Sequence, residues 1–107
     1  MRIYISGPIT GREPEQYRAD FRRAAEIIRE TGHEAINPAE LSYWGLSWDQ
    51  YMDIARMVLN SGEVDAIYML RGWSESRGAS RERFIASSNG IPVIYQDAAD
   101  EEKYREM

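Results

Sequence analysis

Apolar and polar residues follow two different rhythms along this chain. Four short apolar runs, Ile3 to Ser6, Glu34 to Ile36, Ala66 to Leu70 and Ile91 to Tyr95, read as buried strands. Between them lie three segments in which apolar residues recur three and four positions apart, the period of a helix with one buried face. The first starts near Pro14, where a proline suits the first helical turn, and stops at Gly32. It carries Tyr17, Phe21, Ala24, Ala25 and Ile28 on one face. The second, from about Trp48 to Ser61, repeats the spacing with Trp48, Met52, Ala55, Val58 and Leu59. The third runs from about Ala79 to Asn89, with Gly90 as its stop signal. Asp97 to Met107 reads as an acidic polar tail, either a weak helix or frayed.

Strands alternating with helices predict an α/β fold, a parallel sheet with helices on both faces joined by right-handed crossovers. The expected strand order is 2-1-3-4, a small Rossmann-like (flavodoxin-like) three-layer sandwich formed by residues 1–96, with 97–107 as the tail. Ligands of such sheets bind beyond the carboxyl ends of the strands, where the strand order reverses. Here that point lies between the first and third strands, beside the loops Gly7 to Glu13 and Arg71 to Gly78.

Composition narrows the chemistry. With 107 residues, 43% of them apolar and 29% charged, the chain suits one ordinary globular domain. No apolar run approaches the roughly 20 residues that span a bilayer, and Arg2 to Ile5 lacks the pattern of a signal peptide, so a cytoplasmic protein without membrane contact is expected. The absence of cysteine removes disulfides, thiolate metal sites and cysteine nucleophiles. A single histidine, His33, in a helix-to-strand turn, leaves little for a serine–histidine triad or a histidine metal site. The net charge of −5 argues against a nucleic-acid polymer as partner, although Arg71, Arg77, Arg81 and Arg83 cluster and could hold one small anion.

Three constellations remain. The first loop, Ser6-Gly7-Pro8-Ile9-Thr10-Gly11-Arg12, has glycines that let backbone N–H groups approach a ligand, a hydroxyl in Thr10 and a cation in Arg12. It is neither a dinucleotide fingerprint nor a Walker loop, and a plain strand-to-helix turn is the alternative. The second runs from Gly72 through Trp73, Ser76 and Gly78 to Glu82, with Gly78 suited to the tight turn into the third helix. Glu82 then falls on the first helical turn, on the same face as Ala79, Ile85 and Ala86, so a carboxylate occupies the stripe expected to pack inward. Burying it costs several kcal/mol unless something compensates. The helix N-terminus would favour its ionised form by about 0.3–1 kcal/mol. An ionised, partly desolvated, fixed carboxylate suits a nucleophile; the alternative is a glutamate that only complements the helix dipole. The third constellation is aromatic, Tyr4, Tyr43, Trp44, Trp48, Tyr51 and Trp73, flat walls suited to a nucleobase or to a core. Asp49 and Asp53, one turn apart on the second helix, are further candidates.

These pieces resemble the nucleoside 2-deoxyribosyltransferase superfamily, which includes the 2′-deoxynucleoside 5′-phosphate N-hydrolases, and within it a compact bacterial and phage branch. The likeness runs from Arg2 to Tyr95 through Tyr4-Ile5-Ser6-Gly7-Pro8-Ile9-Thr10-Gly11, Asn37-Pro38-Ala39, Asp65 to Leu70, Trp73, Ser76-x-Gly78-x-x-x-Glu82, Ala86, Gly90 and Pro92. The resemblance implies that Glu82 is the nucleophile, that Tyr4 aligns it, and that the Gly7 to Gly11 loop lies against the sugar or its 5′-phosphate. It implies ligand contacts from Ser76, whose serine is the residue of the phosphate-binding hydrolases. Relatives carry an aspartate eight residues before the position of Asp65, where this chain has Met57; Asp53, one turn earlier, is the candidate to replace it.

The expected activity is cleavage or transfer at the N-glycosidic bond of a 2′-deoxynucleoside or its 5′-monophosphate, through a glycosyl-Glu82 intermediate. Tyr4 would align Glu82, and Asp53 (or Asp49) would orient the sugar or protonate the leaving base. Gly7, Pro8, Ile9, Thr10, Gly11, Arg12, Ser76 and Gly78 would hold sugar and phosphate, and Trp73 would flank the base. No metal or cofactor is implied, and a homodimer or larger homo-oligomer is expected. The alternatives are a non-catalytic nucleotide-binding module and an N-glycosidase acting on a ribonucleotide or a nicotinamide dinucleotide.

Overall fold

In strand β1 (Arg2–Ser6) the two-residue period sends Ile3 and Ile5 to one face and the hydroxyls of Tyr4 and Ser6 to the other. Everything that positions the site follows from that alternation. The computed structural model describes residues 1–104. β1 pairs in parallel with β2 (Glu34–Ile36) on one side and β3 (Ala66–Met69) on the other, and β3 pairs in parallel with β4 (Val93–Tyr95). The order is β2-β1-β3-β4, with Tyr4 opposite Ile67 and Ser6 opposite Met69.

Helix α1 (Pro14–Glu30) covers the Ile3 and Ile5 face with Phe21, Ala24, Ala25 and Ile28. Helices α2 (Trp48–Leu59) and α3 (Arg77–Ser88) cover the opposite face, where Met52, Ala55, Leu59, Ala79 and Ala86 pack on Ile67 and Met69. The architecture is therefore the small, three-layer Rossmann-like sandwich that the alternation of elements predicts. A short helix, α4 (Ala98–Lys103), capped by the Asp97 side chain, forms within the expected tail. Residues 105–107 of that tail lie outside the described residues. Among the described residues, no helix is long and apolar enough to cross a membrane.

Element ends differ from expectation for local reasons. Helix α3 begins at Arg77 rather than Ala79 because the Ser76 hydroxyl accepts from the Ala79 amide at 3.2 Å, a cap placed two residues earlier. Gly78 thus sits inside the first turn, and Glu82 is carried from the first turn into the second. Strand β4 begins at Val93 rather than Ile91 because the Ile91 amide donates to the Ala86 carbonyl at 2.9 Å and closes the end of α3. An unforeseen 3-10 segment, Pro38–Trp44, starts where the Asn37 side chain accepts from the Ala39 amide. It ends on Gly45, whose φ of 66° is left-handed, and it forms one wall of the cavity described next.

Candidate active site

A cavity of about 330 Å³ opens beyond the carboxyl ends of β1 and β3, where the strand order reverses. Small-molecule sites occupy roughly 300–1,000 Å³, so it has room for a nucleoside-sized molecule. Its floor is the loop after β1, with Gly7, Ile9 and Thr10. Tyr17 and Phe21 of α1 form one side and Trp48, Tyr51 and Met52 of α2 another. The Pro38–Trp44 segment with Gly45 and Leu46 closes the third, and the first turns of α3 bring Ser76, Gly78, Ala79 and Glu82. Gly7 is required by proximity: a Cβ there would lie 2.9 Å from the Leu70 Cβ, so any larger residue would push the two loops apart. Gly78 lies under the Trp48 indole, whose Nε1 would be 3.5 Å from an added Cβ.

Among the described residues Glu82 is the only carboxylate lining the cavity, and it is 9% exposed. The Tyr4 hydroxyl donates to its Oε2 at 2.5 Å and the Ser6 hydroxyl donates to its Oε1 at 2.7 Å. Both donors come from β1, two residues apart and hence on the same face of the sheet. Each carboxylate oxygen accepts one of these bonds and keeps a further lone pair for a ligand. Burial pushes the Glu82 carboxyl up to about 7, while the hydrogen bonds from Tyr4 and Ser6 pull it down. Burial also pushes the Tyr4 phenol well above its ordinary range, with Glu82 and Tyr51 adding to the effect, so it remains a donor at every working pH. The expectation that the helix N-terminus keeps Glu82 ionised is corrected here. Glu82 stands in the second turn, beyond the range in which the dipole acts, and desolvation dominates.

Of the residues singled out from sequence, Gly7, Ile9, Thr10, Trp48, Tyr51, Ser76, Gly78 and Glu82 line the cavity, and Tyr4 stands directly behind Glu82. The others lie elsewhere. Pro8 packs against Gly72, 3.2 Å from where a Cβ would stand, and shapes the loop from outside. Gly11, with a φ of 81°, turns the exposed end of that loop. Arg12 is drawn to Asp20 at 2.7 Å and to the Pro8 carbonyl at 3.2 Å, away from the cavity lining. Asp53 is exposed and pairs with Arg56 at 3.0 Å. The reason is angular: α2 turns Trp48, Tyr51 and Met52 to the cavity, and each step of one residue rotates by about 100°, which swings Asp49 and Asp53 to solvent. Trp73 does not flank the cavity. It is buried at 4% exposure against Tyr95 and Tyr104, and its Nε1 donates to Asp100 at 3.2 Å.

Two members of the arginine cluster are likewise engaged. Arg77 stacks on the Trp48 ring at 3.8 Å, and the Arg83 guanidinium is buried among aromatic rings and donates to the Tyr95 hydroxyl at 2.8 and 2.9 Å. Ser6, which stands in the quoted motif with no role assigned, is the second hydroxyl that holds Glu82. The signal was present, since any residue two positions from Tyr4 on β1 shares its face. Among the described residues, no three carboxylate or imidazole groups gather where they could hold a metal ion.

The sequence profile of one protein family, described as a domain of unknown function (DUF4406), matches residues 1–95. No curated protein and no solved structure gives a match.

Proposed function

The chain belongs to the DUF4406 family, whose description assigns no chemistry, and from its own side chains we propose that it cleaves or transfers the N-glycosidic bond of a 2′-deoxynucleoside or its 5′-monophosphate. The observation that carries this reading is a buried carboxylate, fixed by two hydroxyls and, among the described residues, the only acid lining a nucleoside-sized cavity. Ionised Glu82 attacks the anomeric carbon, the carbon–nitrogen bond breaks, and the base leaves with the electron pair. Tyr4 and Ser6 hold the carboxylate in one orientation, which supplies the positioning part of the rate. Water, or a second base, then attacks the same carbon and Glu82 departs as carboxylate. The aromatic walls from Tyr17, Phe21, Trp48 and Tyr51 suit a planar base. The resemblance to the deoxyribosyltransferases rests on the same residues, Tyr4, the Gly7 to Gly11 loop, Ser76 and Glu82.

We further read the protein as cytoplasmic and as a homodimer at least. Tyr43 and Trp44, 69% and 72% exposed on the segment that walls the cavity, are the surface this reading assigns to the partner copy. One observation favours a second reading, a non-catalytic nucleotide-binding module. Asp53, the expected assistant of Glu82, faces solvent. Incubation with a panel of deoxynucleosides, ribonucleosides, their 5′-monophosphates and a nicotinamide dinucleotide, with and without a second free base, separates these readings. Release or exchange of base from deoxy substrates supports the first. Binding without turnover supports the second, and turnover confined to ribonucleotides or nicotinamide release contradicts the deoxy specificity.

A further inference from the structure

Because Asp53 faces solvent, the departing base needs another partner. A base that leaves as an anion is a poor leaving group, and a donor aimed at it as negative charge develops lowers the barrier. Among the described residues, the cavity lining contains five side-chain hydroxyls: Thr10, Tyr17, Ser42, Tyr51 and Ser76. Ser76 accepts from the Ala79 amide as the cap of α3 and Ser42 accepts from the Arg18 guanidinium at 2.7 Å; each keeps a proton to donate, but neither belongs to the aromatic wall of Tyr17, Phe21, Trp48 and Tyr51 that suits a planar base. Thr10 lies on the exposed part of the loop. Tyr17 is 7% exposed within the core beneath α1, whereas Tyr51 is half-buried on the wall of the cavity and within the electrostatic reach of Glu82. Its backbone is also well anchored. The Ser47 hydroxyl and the Gln50 side chain close a reciprocal cap at the start of α2, and the Tyr51 amide donates to the Ser47 carbonyl at 3.0 Å.

We infer that Tyr51 is the group that donates a hydrogen bond to the departing base, in the place that sequence reading gave to Asp53. This assignment rests on the reading of Glu82 as nucleophile. The phenol now donates to the Pro38 carbonyl at 3.2 Å, longer than the roughly 2.5–3.0 Å usual between oxygens, so a ligand atom can displace that contact readily. Burial first, then Tyr17 and Glu82, push the phenol up to about 12, which keeps the hydroxyl protonated across the neutral range. It therefore acts by donating a hydrogen bond, and the departing base takes its proton from solvent. Electron flow is unchanged: the Glu82 oxygen bonds to the anomeric carbon, and the pair of the broken bond stays on the base nitrogen.

The test is Tyr51→Phe, which keeps the ring and removes the donor. Base release is measured on the deoxynucleoside or 5′-monophosphate that the wild type cleaves fastest, and on an activated counterpart with the same sugar. The counterpart carries N7-methyl for a purine, so that the base leaves neutral, or 5-fluoro for a pyrimidine. The variant should lose about 100-fold in kcat/KM on the ordinary substrate and clearly less on the activated one, with the thermal midpoint unchanged. Equal losses on both substrates, or none on either, would overturn the assignment while leaving the glycosidic reading intact. A wild type that releases no base from any substrate overturns the underlying reading, and this assignment with it.

Discussion

On one side of α3, Glu82 meets the hydroxyls of Tyr4 and Ser6 and faces a cavity; on the other, Arg83 lies 7% exposed in a cage of rings. The guanidinium carbon is 5.2 to 5.8 Å from the centroids of Trp73, Tyr95 and Tyr104. Its nitrogens donate to the Tyr95 hydroxyl and, at 3.4 Å, to the Tyr104 carbonyl. The two residues are consecutive, and both are charged types that rarely go inside unpaired. Around Arg83 the space is filled, and the cation is satisfied by two oxygens and three π faces. Around Glu82 space is left open, and burial drives the carboxyl up to about 7. Packing used to dissolve a charge marks a structural role. Packing that leaves a charge beside a void is what the proposed chemical role of Glu82 requires.

That contrast can be broken by exchanging the consequences. Glu82→Gln should lower base release by at least about 1,000-fold, as loss of a nucleophile does, while the fold is kept. Arg83→Met should do the reverse. It removes the donors that Tyr95 and Tyr104 share and costs about 1–3 kcal/mol, read as a fall in thermal midpoint of about 4–8 °C per kcal/mol, with turnover per folded molecule nearly unchanged. If Arg83→Met abolishes turnover without moving the midpoint, the division of roles between the two residues is wrong.

Acidity sharpens the comparison, because Glu82 should couple activity and stability with opposite signs. Its folded value of about 7 lies above the ordinary carboxylate value of 4.5. The folded state therefore binds more protons than the unfolded state between those limits, and stability falls as pH rises through that window. The loss is about 3 kcal/mol in all and is complete above pH 7. Base release needs the ionised form and should rise through the same window, levelling above about 7. Thermal melts and rates from pH 5 to 8.5 read both trends, and Glu82→Gln should flatten the stability trend. Ser6→Ala has the smallest expected effect. Removing one of the bonds that favour the carboxylate moves the midpoint of the rate profile to higher pH, and an unmoved midpoint would contradict the hydrogen bond's role.

Much of this was readable in the residues. Alternating strands and helices specify the sheet order, and Ala79, Glu82 and Ala86 on one helical face already put a carboxylate inward. What failed did so through contacts between distant parts of the chain. Trp73 is flat and apolar, but whether it faces a ligand or a core depends on Tyr95, Asp100 and Tyr104, more than twenty residues away. Arg12 looks free in a loop until α1 brings Asp20 beside it. Asp53 could have been set aside from periodicity alone, since Met52, Ala55 and Leu59 define the inward face of α2. The wall built by Pro38–Trp44 gave no warning, because a 3-10 segment lacks a helical stripe long enough to detect.

The central claim is that Glu82 forms a bond to the sugar. A 2′-deoxy-2′-fluoroarabinosyl nucleoside with an activated base tests it directly, because the fluorine destabilises the oxocarbenium-like transition states of both steps while the good leaving group keeps the first fast enough for a glycosyl-enzyme to accumulate. Intact-mass spectrometry followed by peptide mapping should find one fluorinated sugar on Glu82 of the wild type and none on Glu82→Gln. Base release by the wild type with no adduct, or with the adduct on another residue, would contradict the account.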